Sequence, residues 1–357
     1  MFNKMRFTIA IPVRNGSEYL ADCIRSALSQ TRPADEVLVL DDNSQDNSAA
    51  IAQSSEWGGR VKYCFNAQPT GFADAWNRAA AKAAGDYVSI LHQDDFLDLN
   101  YLLAVEDGLN RFPKVRHLYA ACRYVDGNGQ VLQFWRPPEQ PGYDPVLMSG
   151  RDYAHRYLHG VWQNRHFHRC PGVTTSRALL LEKCAYRKEA GHIADDDFFY
   201  RVGAFTDVVG ISKPMASYRE HATSTTSGVK ILGLVLARDY LFQITHKEER
   251  AKIMELKDEL LFEELAARKL NEALCYILRS HFSEWRKVLD LENELNTVVS
   301  DATRKYLPVW TRPMWIAVRK GHIRLASLYI LAISLSSGLR RRLQLFLTPK
   351  AVTRIIT

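Results

Sequence analysis

Apolar positions in the first hundred residues switch repeatedly between two periods. RFTIAIPV (6–13), DEVLVLDD (35–42), VKYCF (61–65) and DYVSILH (86–92) are short apolar runs rich in β-formers and bounded by turn residues, which predicts four strands. SEYLADCIRSALSQ (17–30), the stretch after Ser44 and the alanine-rich GFADAWNRAAAKAAG (71–85) predict helices between them. This alternation predicts an α/β chain with a mostly parallel sheet covered on both faces. Ligands of such sheets bind outside the carboxyl ends of the strands. Residues 12–16, 41–44 and 92–95 fall at three of those ends, so three polar stretches are expected on one rim.

Beyond residue 112 the pattern changes. Residues 113–170 are rich in Pro, Gly and aromatics and predict a hairpin, turning at VDGNGQV (125–131), followed by a long loop. From 230 to about 300 the period is helical. In EERAKIMELKDELLFEELAARKLNEALCYILR (248–279) acids and bases at i, i+4 spacing read as a solvated face. The expected division is therefore an α/β domain at 1–228, with halves 1–112 and 113–228, and a helical region at 229–357.

Charge refines this picture. The net charge is +7, but eleven bases face one acid from residue 301 onward, a balance of +10 that leaves −3 on residues 1–300. The body is therefore not expected to hold nucleic acid, and the tail is expected to meet something anionic. Within RPMWIAVRKGHIRLASLYILAISLSSGLRRRLQLFL (312–347) the apolar stretch 325–339 is 15 residues long, short of the ~20 needed to span a bilayer. Three readings are open for 310–347: a packed helix pair, a basic interfacial helix on an anionic membrane with Arg340, Arg341 and Arg342 at lipid phosphates, or a self-association surface. The six cysteines form no C-x-x-C pair, and the N-terminal residues lack a signal-peptide pattern, so a cytoplasmic location is expected, with a peripheral position on the inner face of the cell membrane if 310–347 is the interfacial helix.

Four acidic or polar clusters carry candidate chemistry. LDDNSQDNS (40–48) is either a set of helix caps or a place where Asp42 accepts a ligand N–H with Asp41 supporting the loop. HQDD (92–95) sets Asp94 beside Asp95, two anions that repel when buried. It is either a capped strand end or a site for a hard cation such as Mn²⁺ or Mg²⁺. ADDDFFYRV (194–202) places Asp195, Asp196 and Asp197 at a helix start, where acids also simply favour the dipole. SYREHATSTTS (217–227) joins His221 to hydroxyl side chains.

In their order and spacing these stretches resemble the glycosyltransferase family 2 group of GT-A fold enzymes over roughly residues 6–228. FTIAIPVRNGSEYLADCIRSALSQT is similar to that family's opening I-P-x-Y-N-x-x-x-x-L…S-x-x-x-Q-T, and EVLVLDDNSQDNS to its V-D-D-x-S-x-D-x-S/T. NAQPTGFADAWNRAAAKAAGDYVSILHQDD resembles N-x-x-x-x-G-x-x-x-A-x-N-x-G…L-D-x-D-D, ADDDFFYRV resembles E-D-x-D-L-x-L-R-L, and YREHATSTTS resembles Y-R-x-H-x-x-S-x-S. The resemblance implies a GT-A-type, Rossmann-like sheet and an inverting sugar transfer from a nucleotide-sugar, UDP being the expected nucleotide, to a saccharide or lipid-linked saccharide acceptor. Carried over, Pro12, Val13, Arg14, Asn15, Asp42, Gly71, Asn77, Gln93 and Asp94 would hold the nucleotide. Asp94, His92 and His221 would hold Mn²⁺ or Mg²⁺, and Asp195 would be the base, with Asp95, Asp196, Asp197 and Arg219 in support. The chain departs from the pattern at His92, where the first Asp of D-x-D usually stands, at Arg14, usually an aromatic, and at Ala194, usually Glu. His92 either keeps a ligand role or bonds the ribose, and the base is open among Asp195, Asp196 and Asp197.

Two other functions compete. A nucleotidyltransferase would use a similar sheet, but IPVRNGSEYL has no Gly-rich phosphate loop, and neither G-x-G-x-x-G nor G-x-x-x-x-G-K-[ST] occurs in the chain. A non-catalytic membrane-bound scaffold would rest on the tail and lose all function when 301–357 are deleted, whereas an enzyme would retain nucleotide binding in 1–228.

Overall fold

A computed structural model describes residues 4–134, 144–163, 166, 168–224, 232–246, 248–280 and 284–333. Among the described residues ten strands form one sheet: β1 (Phe7–Val13), β2 (Glu36–Asp41), β3 (Val61–Phe65), β4 (Tyr87–Ile90), β5 (Phe96–Leu97), β6 (His117–Val125), β7 (Val131–Phe134), β8 (Val146–Met148), β9 (Val173–Ser176) and β10 (Val208–Arg219). The order is β3-β2-β1-β4-β9-β6-β10-β5, with β7 beside β6 and β8 beside β10. From β3 to β4 every pairing is parallel. β9 then runs antiparallel to both β4 and β6, and β6 and β10 are parallel again, which makes the second half mixed. β1 lies inside the parallel half, and Phe7, Ile9 and Ile11 pack in the core with Leu20 and Ile24 on one side and Val39 nearby. A strand covered on both faces has no polar alternation, as the sequence of β1 shows.

The helices that cross between these strands are α1 (Leu20–Leu28), α2 (Ser48–Ala52), α3 (Phe72–Lys82), α4 (Tyr101–Arg111), α5 (Gly150–Trp162), α6 (Arg177–Glu182) and α7 (Ala194–Val202). The expected hairpin is present: β6 and β7 pair antiparallel, Gly129 takes φ 80°, and the Asp126 carboxylate accepts the backbone N–H groups of Asn128 and Gln130. The expected long loop is only partly right, because α5 occupies 150–162. Ser149 caps it by accepting the N–H of Asp152, and Tyr153, Ala154, Tyr157, Leu158 and Val161 form its buried face. Tyrosines supply two positions of that face and only Leu158 and Val161 are large aliphatics, so its helical period is weak in a purely aliphatic reading.

Helices α8 (Leu232–Thr245), α9 (Leu256–Ser280), α10 (Trp285–Val298), α11 (Ala302–Tyr306) and α12 (Arg312–Arg319) follow among the described residues, with a further helical run at 323–333. Contacts divide it into two compact units, Met1–Gly228 with His246–Leu261, and Val229–Thr245 with Phe262–Thr357. The reading of 248–279 as a solvated face needs correction at its start. Asp258 is fully buried, accepts a bond from Tyr200 Oη at 3.3 Å and lies 3.2 Å from His155 Nε2, and Arg250 is buried as well. Charge periodicity alone does not tell a solvent partner from a buried one.

α5 and α7 approach each other through a pair of glycines. A Cβ on Gly150 would overlap the carbonyl oxygens of Gly203 and Thr206, and a Cβ on Gly203 would overlap the carbonyl of Gly150. Gly203→Ala is expected to destabilise the fold by about 3 kcal/mol through overpacking against rigid backbone. A drop in the urea unfolding midpoint at unchanged slope checks this.

Candidate active site

The ends of the parallel strands are laced together by side chains. Past Val13 the backbone N–H groups of Arg14, Asn15, Gly16 and Ser17 donate to Gln93 Oε1 (2.7 Å), Ser44 Oγ (3.0 Å), Ser48 Oγ (3.0 Å) and Asp46 Oδ2 (2.9 Å). Asn15 and Asn43 take positive φ, 52° and 64°, a region asparagine tolerates. Pro12 and Val13 pair in register with Leu40 and Asp41, and Asp42 N donates back to the Val13 carbonyl. Asp41 supports the loop by accepting from Ser44 N and Tyr63 Oη, each at 2.8 Å. The Asp42 carboxylate accepts from Asn66 Nδ2 (2.7 Å) and Thr70 N (2.8 Å), with Arg78 at 3.6 Å. Burial alone would raise its pKa, but these two bonds and the Arg78 charge hold it below the ordinary carboxylate value. Gly71 starts α3 at φ 82°, and Asn77 exchanges two hydrogen bonds with the backbone of Tyr186, fastening α3 to the segment before α7.

The adjacent carboxylates after β4 take different surroundings. Asp94 Oδ2 lies 2.9 Å from His221 Nε2 and remains partly exposed. Asp95 is buried and accepts the N–H of Arg219 at 2.9 Å, while His92 Nδ1 stands 3.6 Å from its other oxygen. Burial, with the Asp94 charge beside it, pushes the Asp95 carboxyl well above its usual range. Arg219 ties the area down: its guanidinium donates to the carbonyls of Asp94 and Gly127 and lies over the Tyr19 ring. His92 stacks on Trp76, with ring centroids 5.4 Å apart and planes 10° apart, and its Nε2 is buried without a hydrogen-bond partner among the described residues.

The three aspartates opening α7 are equally distinct. Asp197 is buried and pairs with Arg201 Nε at 2.7 Å, a structural ion pair. Asp196 accepts from Tyr157 Oη of α5 at 2.6 Å. Asp195 accepts the N–H of Asp196 at 2.9 Å, and no described side chain hydrogen bonds to it. Burial first, and then the neighbouring Asp196 charge, raise the Asp195 carboxyl to about 7, against the pull of Arg169.

Arg169 links the two acidic groups, and the sequence reading missed it along with Tyr157 and Trp76. Its Nε donates to Tyr124 Oη at 3.1 Å, and its guanidinium lies 5.7 Å from the Tyr218 ring centre. Its charge acts on Asp95 and His92 on one side and on Asp195 and Asp196 on the other. Burial first, and then the charges of Asp195 and Asp95, push the thiol of the next residue, Cys170, up, so 169–170 lies within reach of acids from both β4 and α7. Gly172 lets this segment sit down on the sheet, since a Cβ there would meet the Ala120 carbonyl at 2.7 Å. Nothing in RHFHRC distinguishes this arginine from its neighbours; only the pairing of β9 between β4 and β6 brings it to the centre.

The donor set at Asp94 is suited to a hard cation only in part. Among the described residues no three His, Cys, Asp or Glu side chains gather to hold a metal ion. Asp94 and His221 converge, whereas His92, expected as a third ligand, faces Asp95. Two protein donors fit a cation whose remaining positions are filled by substrate phosphates.

A parallel half-sheet with polar loops at its carboxyl ends, joined through an antiparallel strand to a mixed half bearing an acidic helix start, is a GT-A fold. The solved structure of Staphylococcus aureus TarS residues 1–349 in complex with UDP-GlcNAc has the same fold, with a TM-score of 0.63 at 16% identity over 93% of this chain and 92% of that one. Residues 8–172 match the family described as glycosyl transferase family 2. An uncharacterized glycosyltransferase of Rickettsia bellii (strain RML369-C) is 32% identical over 157 residues, 43% of this chain and 22% of that protein. Escherichia coli chondroitin synthase is 34% identical over 129 residues, 35% of this chain and 18% of the synthase. The chain spans between 22% and 65% of the length of the five Rickettsia relatives it matches.

Proposed function

We propose that this chain is an inverting glycosyltransferase of the hexosyltransferase type. It moves a sugar from a nucleotide-sugar, a UDP-sugar in the first instance, to a hydroxyl of a saccharide or lipid-linked saccharide in surface polysaccharide or glycolipid synthesis on the cytoplasmic side. The observation that carries the reading is the place of Arg169, whose charge reaches Asp95 and His92 after β4 on one side and Asp195 and Asp196 on the other, with the Asp94–His221 pair next in the chain to Asp95. The TarS complexes with UDP-GlcNAc and UDP support the choice of nucleotide.

Each residue then has a role. Asp42 reads the base from a carboxylate already oriented by Asn66 and Thr70. Asp195 takes the proton of the acceptor hydroxyl, a poor nucleophile at neutral pH, as that oxygen attacks the anomeric carbon opposite the departing diphosphate. Attack from that side inverts the configuration. Asp94 and His221 hold Mn²⁺ or Mg²⁺, which when bound supplies positive charge for the diphosphate. Asp196 and Asp197 are kept from the base role by Tyr157 and Arg201.

Titration calorimetry of the full chain with UDP-, GDP- and dTDP-sugars, with and without Mn²⁺, tests this. Asp94→Ala is expected to weaken UDP-sugar binding by about tenfold or more in Mn²⁺ and far less without it. An unchanged response to metal would remove Asp94 from the coordination shell. A product with retained anomeric configuration would overturn the single-displacement mechanism.

A further inference from the structure

Residues 302–333 contain six Lys or Arg and no acid, and the chain adds Arg340, Arg341, Arg342, Lys350 and Arg354 beyond them. The structure shows how the apolar residues in this basic stretch are arranged. The helical run at 323–333 packs one side inward through Ala326, Ser327 and Ile330, with Ser327 Oγ bonded to the Leu278 carbonyl at 2.6 Å. Its other side exposes Leu325 (61%), Leu328 (64%) and Leu331 (46%), with Arg324 next to them. Tyr329 Oη donates to the Trp310 carbonyl at 2.7 Å, which ties the backbone of the exposed Trp310 to this helix, and Arg312 is exposed two residues on.

A helix with one packed face normally turns charged residues to solvent on the other. Here leucines three residues apart occupy the outer face, bordered by arginines. A contiguous exposed apolar surface of this kind marks a docking site. Charge decides what docks. A second copy would bring another strongly basic face against this one, and a nucleic-acid phosphate backbone offers nothing for leucines to bury into. An anionic bilayer matches both features, accepting leucines among its acyl chains and arginines at its phosphates. Among the described residues no helix is long and apolar enough to cross a membrane, which fits a helix lying in the interface.

We propose that Trp310, Leu325, Leu328 and Leu331, flanked by Arg312 and Arg324, form a surface that docks on an anionic lipid leaflet. This surface stands apart from the catalytic reading and holds whether or not that reading does.

Flotation of the full chain with phosphatidylcholine vesicles, with and without phosphatidylglycerol, tests it. The wild type is expected to float with the anionic vesicles only. Arg312→Glu with Arg324→Glu should weaken binding on the order of 20-fold. Leu325→Ser, Leu328→Ser and Leu331→Ser together should abolish it while the thermal melt and UDP-sugar binding stay as in the wild type. Failure of the wild type to float overturns the proposal, as does flotation untouched by the leucine substitutions, which would mean adsorption through charge alone. A wild-type dimer in gel filtration that the leucine variant turns into a monomer, with flotation retained, would assign the face to a second copy instead.

Discussion

Asp195→Asn is expected to reduce transfer by about 10³-fold while donor binding survives, the loss a positioned general base accounts for. The same substitution should make the protein more stable at neutral pH. Burial and the Asp196 charge hold the Asp195 carboxyl at about 7, against about 4 in an unfolded chain. Between those values the folded state binds more protons than the unfolded one, so stability falls as pH rises across that window. It is fullest below pH ~4 and lost as the pH passes ~7. Asparagine carries no charge there, so the variant should escape this loss and melt about 3 °C higher at pH 8. Activity runs the other way: the base must be ionised, so the wild-type rate should climb through pH ~7. Differential scanning calorimetry and a pH–rate profile on the same preparations check both halves. A variant equally inactive but less stable would indicate that Asp195 holds the fold together rather than reacting.

Arg169→Met should be the most damaging single change in the site. It leaves Asp95, Asp195 and Asp196 without the cation that faces all three. Asp95 is buried but Arg169, Asp195 and Asp196 are half-buried, so the loss should fall below the about 3–5 kcal/mol of a fully buried pair and be readable in urea unfolding. In whatever fraction folds, the rise of the pH–rate profile should move to higher pH, because Arg169 lowers the Asp195 pKa. Arg169→Lys keeps the charge but loses the planar fork that bonds Tyr124 and stacks on Tyr218. It should restore the profile more fully than the stability. A profile that stays in place in Arg169→Met would limit this residue to packing.

The parallel half of the sheet was legible because each of its strands is a single apolar run ended by a turn, and a strand buried on both faces writes that signal directly. The second half was not. α5 hides behind tyrosines, and β9 joins the halves through four residues, Val173–Ser176, too few to carry a period. In the site, one-dimensional order located the carboxylates but did not rank them. The difference between Asp94 and Asp95, or among Asp195, Asp196 and Asp197, comes from Arg219, Tyr157 and Arg201, partners 4 to 125 positions away. A histidine in place of a carboxylate at position 92 looked like a substituted ligand, and its orientation came from Trp76, sixteen residues earlier on a helix.

The short segment His246–Leu261 sits with the sheet-bearing unit although the sequence delivers it after α8. It brings Asp258 to Tyr200 and His155, and Glu249 to Arg187, all of them beside α5 and α7. Anyone trimming this gene to its smallest working enzyme should therefore not stop at residue 228. Such a product would keep every residue proposed to meet substrate, yet it would lose the clasp behind the helix that carries Asp195, and poor expression would then be mistaken for lack of activity.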